Sequence, residues 1–322
     1  MDRLNVFGDG AKEAEAFAKQ WNDDSRFISA HTSGSTGKPK MIQLLKRDMI
    51  VSAEKTCQFF DIKSDSLLGL PLSVSYIAGK MMVVRALSAH ADLWCGIPSI
   101  NPLNSYTLDR MIDLLSVVPA QIPNLLESGK SELLRHLLIG GAPLSHKAEK
   151  QIINAGISAY CSYGMTETCS HVALRKVGTK YYVGLDGVTF SIDDRNCLII
   201  KLNDFSINKI ATNDVVRLID ERRFEWLGRY DNVINTGGIK IQAEEIERKI
   251  AQCLPDNNYY ITCRKSDKWG EEIVLVVEAD EELPDLTKKI AEYLTRYEMP
   301  KAIIYKHQLP RTISGKIKRE RL

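Results

Sequence analysis

The chain has 322 residues, of which 44% are hydrophobic and 26% are charged, with 20 glycines and 11 prolines. This composition predicts a globular protein with a large core and two domains, and it excludes collagen-like, coiled-coil and intrinsically disordered chains. The 43 Lys and Arg residues nearly balance the 41 Asp and Glu residues. The resulting net charge of +2 gives no electrostatic basis for binding nucleic acid or an anionic membrane.

Cysteine and histidine usage and the apolar segments narrow the class further. The seven cysteines and six histidines lack the CxxC or HxxxH spacing of a zinc site. The N-terminus has no apolar signal-peptide core, and charges interrupt the longest apolar stretch, between Tyr76 and Trp94. We therefore expect a cytoplasmic protein with reduced thiols and no membrane span.

Helical and strand-like patterns alternate along the first half of the chain. The predicted helices are 9–21, 46–60, 79–89, 108–116, 131–137 and 145–155, and the predicted strands are 27–30, 67–71 and 158–161. Strand, loop and helix in repeated order predict an α/β core with a mainly parallel sheet.

Short strands separated by polar turns follow residue 180, at 188–192, 197–202, 215–219 and 223–227. A helix at 243–253, a strand at 272–278 and a helix at 286–297 complete the chain. These patterns predict a large α/β domain with an antiparallel β subdomain, residues 1–228. They also predict a small α+β C-terminal domain, residues 229–322.

The segment from His31 to Lys40 concentrates four hydroxyls, two glycines and two lysines. Glycines let backbone N–H groups turn towards an anion, and hydroxyls with a lysine add donors for phosphate oxygens. The segment is not a Walker A loop, because only two residues separate Gly34 from Gly37 and Pro39 follows the lysine. This composition favours a phosphate-binding loop over the alternative of a flexible surface turn.

A second polar segment, residues 162–168, follows a predicted strand. Loops at the carboxyl ends of parallel strands are where α/β sheets place ligands. Tyr163 could stack on a base, the Thr166 hydroxyl could meet a phosphate, and Glu167 could hold Mg²⁺. Taken alone, the segment is equally compatible with a helix cap.

Together with residues 212–214, 227–238 and 310–317, these two segments resemble, in order, the motifs of the adenylate-forming superfamily of acyl-CoA synthetases, luciferases and carrier-protein adenylation domains. Residues 76–86 and 164–175 are similar to the acid-pocket segments of the o-succinylbenzoate–CoA ligase family of menaquinone biosynthesis. The resemblance is to a short form in which the usual N-terminal subdomain is largely absent. One departure is Asn213, which stands where a glycine is common.

The resemblance implies two half-reactions that use ATP, Mg²⁺ and CoA. A carboxylate attacks the ATP α-phosphate, and a thiol then displaces AMP from the acyl-adenylate. The implied ATP-binding residues are Thr32, Ser33, Gly34, Ser35, Thr36, Gly37 and Lys38 for the phosphates, Gly140, Gly141, Ala142 and Tyr163 around the adenine, and Asp214 and Arg229 for the ribose. Gly164 and Met165 also belong to the implied ATP-binding set.

The resemblance also implies the catalytic groups. Thr166 would lie near the α-phosphate and Glu167 would bind the metal, while Lys316 corresponds to the late catalytic lysine. Asp231 corresponds to a hinge, and Gly237 and Gly238 to a tunnel for the CoA thiol. The alternative for Lys316 is an ordinary residue of a basic tail.

Four residues are candidates for binding a small aromatic acid: Tyr76, Lys80, Arg85 and His171. A dicarboxylate needs a cation for the carboxylate that does not react. Lys80 and Arg85 lie about 140° apart around a helix, so we expect only one of them, Arg85, in the pocket. Alternatively, Arg85 forms a structural ion pair and His171 is a hydrogen-bonded core residue.

The function expected from the resemblance is an o-succinylbenzoate–CoA ligase. The alternatives are a CoA ligase for another aryl or medium-chain acid, and a stand-alone adenylation domain that loads a carrier protein. A degenerate nucleotide-binding protein is disfavoured, because binding alone does not require Lys316.

Overall fold

A computed structural model of the chain describes residues 4–31, 40–311 and 317–322. The chain divides into two compact units: Met1–Thr189 with Lys201–Lys209, and Phe190–Ile200 with Ile210–Leu322. The predicted domain boundary between residues 228 and 229 stays a prediction.

The first unit combines helices and strands in the predicted alternation. Its elements are β1 (Val6–Phe7), α1 (Ala11–Trp21), β2 (Phe27–His31), β3 (Met41–Leu45), α2 (Lys46–Phe60), β4 (Leu67–Leu70), α3 (Ile77–Ala89), β5 (Asp92–Cys95), β6 (Ile112–Val117), α4 (Ile122–Glu127), β7 (Leu134–Ile139), α5 (His146–Asn154), β8 (Ala159–Gly164), β9 (His171–Lys176) and β10 (Tyr182–Gly184).

The sheet of this unit confirms the predicted α/β class. Its strand order is β1-β5-β4-β6-β7-β8-β9-β10. The pairs from β1 to β8 are parallel, whereas β8, β9 and β10 pair antiparallel. Buried residues of α4 and α5 share one hydrophobic core with residues of β4 to β8. The carboxyl ends of β7 and β8 therefore lie side by side, at the place where such sheets bind ligands.

Two predicted helices of the first unit are wrong. Residues 108–116 contain strand β6, and residues 131–137 form a short 3₁₀ turn, Ser131–Leu133, that leads into β7. Strand β6 lies between two parallel neighbours, so nearly all its side chains are buried. A continuous apolar run of this kind has no strand alternation and cannot be told from a buried helix by periodicity.

The remaining elements begin at or beyond the boundary between the units. They are β11 (Val188–Ile192), β12 (Cys197–Leu202), β13 (Lys209–Asp220), β14 (Arg223–Arg229), β15 (Val233–Thr236), β16 (Ile239–Gln242), α6 (Ala243–Ile250), β17 (Tyr259–Ser266), β18 (Gly270–Glu278), α7 (Leu286–Ala291) and β19 (Ala302–Lys306).

The second unit contains the predicted antiparallel strands and an α+β region. Strands β13 and β14 form an antiparallel hairpin. A separate sheet has the order β16-β15-β18-β17, with β19 parallel to β18. Apolar residues of α6 and α7 pack in one core with those of β15 to β18. The predicted helix at 286–297 is shorter than expected, because α7 ends at Ala291.

Candidate active site

The segment after β7 approaches β8 very closely. A Cβ atom on Gly140 would lie 2.8 Å from the Ser162 hydroxyl, which donates a hydrogen bond to the Ile139 carbonyl at 3.1 Å. Gly141 has a positive φ of 89°, which disfavours other residues. Residues 140–142 therefore follow a narrow backbone path at the sheet edge, which suits a flat ligand lying against the main chain.

The loop after β8 turns sharply back into β9. A side chain on Gly164 would clash with the Ser170 carbonyl and the His171 backbone. The Thr168 hydroxyl accepts from the Met165 N–H at 3.0 Å and lies 2.6 Å from the Ser170 carbonyl oxygen. The left-handed conformation of Cys169 completes the turn. This geometry fixes the side chains that follow it, Ser170 and His171.

The same loop presents the residues expected to face ATP and its metal. Thr166 is buried, whereas Glu167 is exposed. Tyr163 packs edge-on against Tyr182, with 5.6 Å between the ring centroids. No cluster of three or more His, Cys, Asp or Glu that could hold a metal occurs in the described part of the chain. A single accessible carboxylate still fits Mg²⁺, which takes its other ligands from phosphates and water.

Arg85 of α3 is the largest fully buried side chain among the described residues. Its Nη2 donates to the Ser170 hydroxyl at 2.9 Å, and its Nη1 lies 3.3 Å from the Met82 sulfur. Its Nε has no hydrogen-bond partner among the described residues, and no described carboxylate forms an ion pair with it. Burial lowers the pKa of Arg85 to about 10, so the group is still a cation at neutral pH. An uncompensated buried cation favours an anionic ligand.

His171 lies beside Arg85 and is also buried. Its Nε2 is 3.1 Å from the Thr56 hydroxyl of α2, and its Nδ1 is 3.3 Å from the Ser170 hydroxyl. Burial and the Arg85 charge hold the pKa of His171 well below its usual value of 6.5. The imidazole is therefore neutral at physiological pH.

This neutral histidine makes folding stability depend on pH. Its folded pKa is depressed, so its contribution is fully present above pH 6.5 and is lost as the pH falls below that value. We expect His171→Gln to remove a slope of up to about 1.4 kcal/mol per pH unit in the free energy of unfolding between pH 6.5 and 5. Denaturant titrations of the wild type and of His171→Gln at several pH values measure this slope. An unchanged slope in the variant would contradict the buried neutral state.

The other two acid-pocket candidates, Lys80 and Tyr76, lie near the start of α3. The Lys80 ammonium sits 4.8 Å above the Phe17 ring of α1, and partial burial lowers its pKa. Tyr76 precedes α3 and is 47% exposed. The structure therefore brings Arg85 and His171 together and directs Lys80 to a different neighbour, as the helical spacing predicts.

The two ribose candidates of the second unit face each other across a hairpin. Asp214 of β13 and Arg229 of β14 are directly paired, with 3.8 Å between Oδ1 and Nη1. Trp226 donates its indole N–H to Asp214 at 3.1 Å, and Arg229 contacts Asp231 at 2.6 Å. A carboxylate beside a guanidinium offers an acceptor and a donor to a diol. Sequence reasoning missed Trp226, which belongs to none of the motifs.

Gly237 and Gly238 form the two-residue turn between β15 and β16. Their φ angles are 59° and 83°, and Thr236 pairs with Ile239. Such a hairpin turn requires positive φ at both central positions, which glycine supplies. A Cβ on Gly237 would lie 2.9 Å from the Trp269 ring, whereas one on Gly238 would meet no described atom within 4 Å. The geometry of the turn alone therefore accounts for two glycines here, in addition to the expected role of this pair in a tunnel for the CoA thiol.

Two predicted groups lie outside the described residues: the phosphate loop from Thr32 to Lys38, and Lys316. The described residues on either side of each are paired antiparallel. His31 pairs with Met41 in the β2–β3 hairpin, and Arg311 pairs with Ile317.

The family profile of AMP-binding enzymes matches residues 6–194, more than half of the chain. The chain belongs to this family. Residues 140–142 after β7, residues 162–168 at the end of β8, and the buried pair Arg85 and His171 all lie within the matched range. No helix in the described residues of this AMP-binding enzyme is long and apolar enough to cross a bilayer.

Curated and solved relatives agree with this assignment. The 2-succinylbenzoate–CoA ligase of Escherichia coli (strain K12) is 27% identical over 88% of this chain and 66% of its own length. The chain thus spans just under two thirds of that relative. An acyl-CoA synthetase (AMP-forming)/AMP-acid ligase II-like protein of Dyadobacter fermentans is 33% identical, with a TM-score of 0.65, over 98% of this chain and 94% of its own.

A further solved structure shows the fold. The o-succinylbenzoate coenzyme A synthetase of Bacillus subtilis, in complex with ATP and magnesium ion, superposes with a TM-score of 0.77. It is 21% identical and covers 90% of this chain and 68% of its own. The chain therefore shares the mixed α/β fold of that synthetase.

Proposed function

We propose that this AMP-binding enzyme is an acid–CoA ligase, and that its acid is 2-succinylbenzoate. The proposal rests mainly on Arg85, a buried cation without a carboxylate partner among the described residues. Burying an unpaired charge costs several kcal/mol, so such a residue is kept where a ligand supplies the counter-charge. The aromatic carboxylate of 2-succinylbenzoate would supply it, while the succinyl carboxylate reacts.

In the first half-reaction, an oxygen of the succinyl carboxylate attacks the α-phosphorus of ATP, and the bond to pyrophosphate breaks. The chain's task is to orient the reactants and stabilise charge rather than to form a covalent bond. We assign the Thr166 hydroxyl and Lys316 to the α-phosphate, and Glu167 to Mg²⁺, which would neutralise phosphate charge. The main chain at 140–142 and the Tyr163 ring would hold the adenine, and Asp214 with Arg229 the ribose.

In the second half-reaction, the CoA sulfur attacks the acyl carbon and the bond to AMP breaks. We assign the hinge between the half-reactions to Asp231, and the thiol path to Gly237 and Gly238. The E. coli relative, a 2-succinylbenzoate–CoA ligase, supports both the thioester product and the acid. A ligase for another aryl or medium-chain acid and a domain that loads a carrier protein are the alternatives.

Pyrophosphate release and product mass separate these possibilities. The enzyme is assayed with 2-succinylbenzoate, benzoate, 4-phenylbutanoate and octanoate, each with CoA or with a phosphopantetheinyl carrier protein. We expect 2-succinylbenzoyl-CoA as the main product. A carrier-linked thioester formed in preference to the CoA thioester would overturn the assignment as a CoA ligase. If octanoate were the best substrate, the assignment of 2-succinylbenzoate as the acid would be wrong.

Gly238 provides a test of the second half-reaction alone. Because its φ is positive, Gly238→Leu strains the turn as well as filling space, whereas Gly238→Asn tolerates that conformation. We expect Gly238→Asn to keep pyrophosphate release within about threefold and to slow thioester formation by about 10-fold or more, the cost of a small misplacement in a narrow site. Stopped-flow kinetics measure the rates of pyrophosphate release and of thioester formation separately. An equal loss of rate in both steps would contradict the assigned thiol path.

A further inference from the structure

Four buried or half-buried side chains of the first unit form a continuous chain of hydrogen bonds. Thr56 Oγ1 lies 3.0 Å from the Ser52 carbonyl oxygen and 3.1 Å from His171 Nε2. The Ser170 hydroxyl lies 3.3 Å from His171 Nδ1 and 2.9 Å from Arg85 Nη2. These hydrogen bonds therefore connect the α2 backbone to the Arg85 guanidinium, the group to which we assign binding of the acid.

The direction of every hydrogen bond follows from its two ends. A carbonyl oxygen can only accept, so the single hydroxyl hydrogen of Thr56 points to Ser52. Thr56 Oγ1 must then accept from His171, which places the imidazole hydrogen on Nε2. A neutral imidazole with Nε2–H has an acceptor at Nδ1, and this acceptor takes the Ser170 hydroxyl hydrogen. The Ser170 oxygen is then free to accept from Arg85.

The other end gives the same direction independently. Arg85 is a pure donor, so the Ser170 oxygen must accept from it, and the Ser170 hydrogen must go to another acceptor. Among the described contacts of that hydroxyl, only His171 Nδ1 can accept. Both ends thus require the same histidine tautomer. The Arg85 charge opposes protonation of His171. The thiol of Cys57 also lies beside Arg85, and it is neutral because burial raises its pKa to about 11.

We propose that Thr56 and His171 are positioning residues: they hold the neutral Nε2–H imidazole so that Ser170 accepts from Arg85 and fixes the guanidinium for the free carboxylate of the acid. This inference rests on the proposed function for the identity of the acid only. It assigns specificity to Thr56, a residue of α2 outside every recognised motif. The fixed guanidinium keeps its Nε, which bonds to no group in the described part of the chain, as a donor for a carboxylate oxygen.

The tautomer is tested in the ligand-free protein. Two-dimensional ¹⁵N NMR of the histidine-labelled protein distinguishes the two ring nitrogens, and His171→Gln assigns the signals. We expect the Nε2–H form in the wild type and in Thr56→Ser, which keeps the hydroxyl. In Thr56→Val we expect a mixture of the two forms, because the Nε2 hydrogen loses its acceptor while Ser170 still favours an acceptor at Nδ1. An Nδ1–H or protonated His171 in the wild type at pH 7.5 would overturn the proposal, and this outcome does not depend on whether the Thr56 variants fold.

The role in specificity is tested by kinetics with 2-succinylbenzoate and with 4-oxo-4-phenylbutanoate, which lacks the aromatic carboxylate. We expect Thr56→Val to raise the KM for the dicarboxylate about 10-fold. Its KM for ATP and its KM for the monocarboxylate should stay within about twofold of wild type. Thr56→Ser, which keeps the hydroxyl, should have the wild-type values. Equal losses with both acids would overturn the positioning role. If the wild type activates neither acid but the Nε2–H tautomer is found, the assigned acid fails while the chain of hydrogen bonds stands.

Discussion

Replacing Lys316 by alanine is expected to slow acyl-adenylate formation by about 10²-fold or more, which is about 3 kcal/mol, the scale for removing one donor that stabilises transition-state charge. The loss should fall on kcat, because a donor to the α-phosphate acts most strongly as charge develops there. Thioester formation from preformed acyl-adenylate should remain within a few-fold of wild type, since we assign Lys316 to the first half-reaction only.

Lys318→Ala is the matched control, because Lys318 is an exposed lysine two residues further along the same basic tail. It should leave both half-reactions unchanged. A loss of similar size in Lys318→Ala would favour the basic-tail interpretation. If Lys316→Ala slowed both half-reactions equally, the assignment of Lys316 to the first half-reaction and of the Gly237–Gly238 turn to the second would be wrong.

Arg85→Met is expected to stabilise the ligand-free protein while it damages recognition of the acid. Methionine fills a similar volume without a charge. Replacing even a paired buried charge, together with its partner, by apolar side chains is often stabilising by about 1–4 kcal/mol, and Arg85 has no paired carboxylate among the described residues to offset its burial. Without the cation, kcat/KM for 2-succinylbenzoate should fall by about 10²-fold, in line with the loss of one partner of a buried charged pair. The KM for ATP should change little. Thermal unfolding and steady-state kinetics measure the two effects.

Arg175→Met is a contrasting control in the same unit. Arg175 is largely buried but is paired with Glu149 at 2.5 Å, so removing it strands a carboxylate and should lower the stability. If Arg85→Met instead destabilises the protein as Arg175→Met does, Arg85 is a structural residue. The assignment of an acid carboxylate to Arg85 would then be wrong.

Most of the fold follows from local patterns. Helices α1, α2, α3 and α5 have amphipathic spacing or clear turn boundaries, and their predicted positions agree with the structure to within two residues. Strand β6 does not follow from such patterns, because burial on both faces erases the alternation that marks a strand. Its identity depends on the neighbouring strands β4 and β7, which are distant in sequence.

Some residues of the candidate site can likewise be predicted from the sequence, and others cannot. Motif residues such as Tyr163, Thr166 and Asp214 can be chosen from the sequence, because they lie in segments that resemble the motifs of the adenylate-forming superfamily. Thr56 and Trp226 cannot, because each acts through one contact made across the fold, with His171 and with Asp214 respectively. The helical spacing of Lys80 and Arg85 did predict that they face different neighbours, but not that Arg85 lacks a carboxylate partner among the described residues.

The ratio of kcat/KM for 2-succinylbenzoate to that for 4-oxo-4-phenylbutanoate, measured by pyrophosphate release with the wild-type enzyme, ATP, Mg²⁺ and CoA, tests the central claim most directly. The two acids carry the same reacting carboxylate and differ only in the carboxylate assigned to Arg85. We predict a ratio of about 10² or more, since leaving that buried cation unpaired costs about 3 kcal/mol. A ratio near one would contradict the assignment of Arg85 and of the acid.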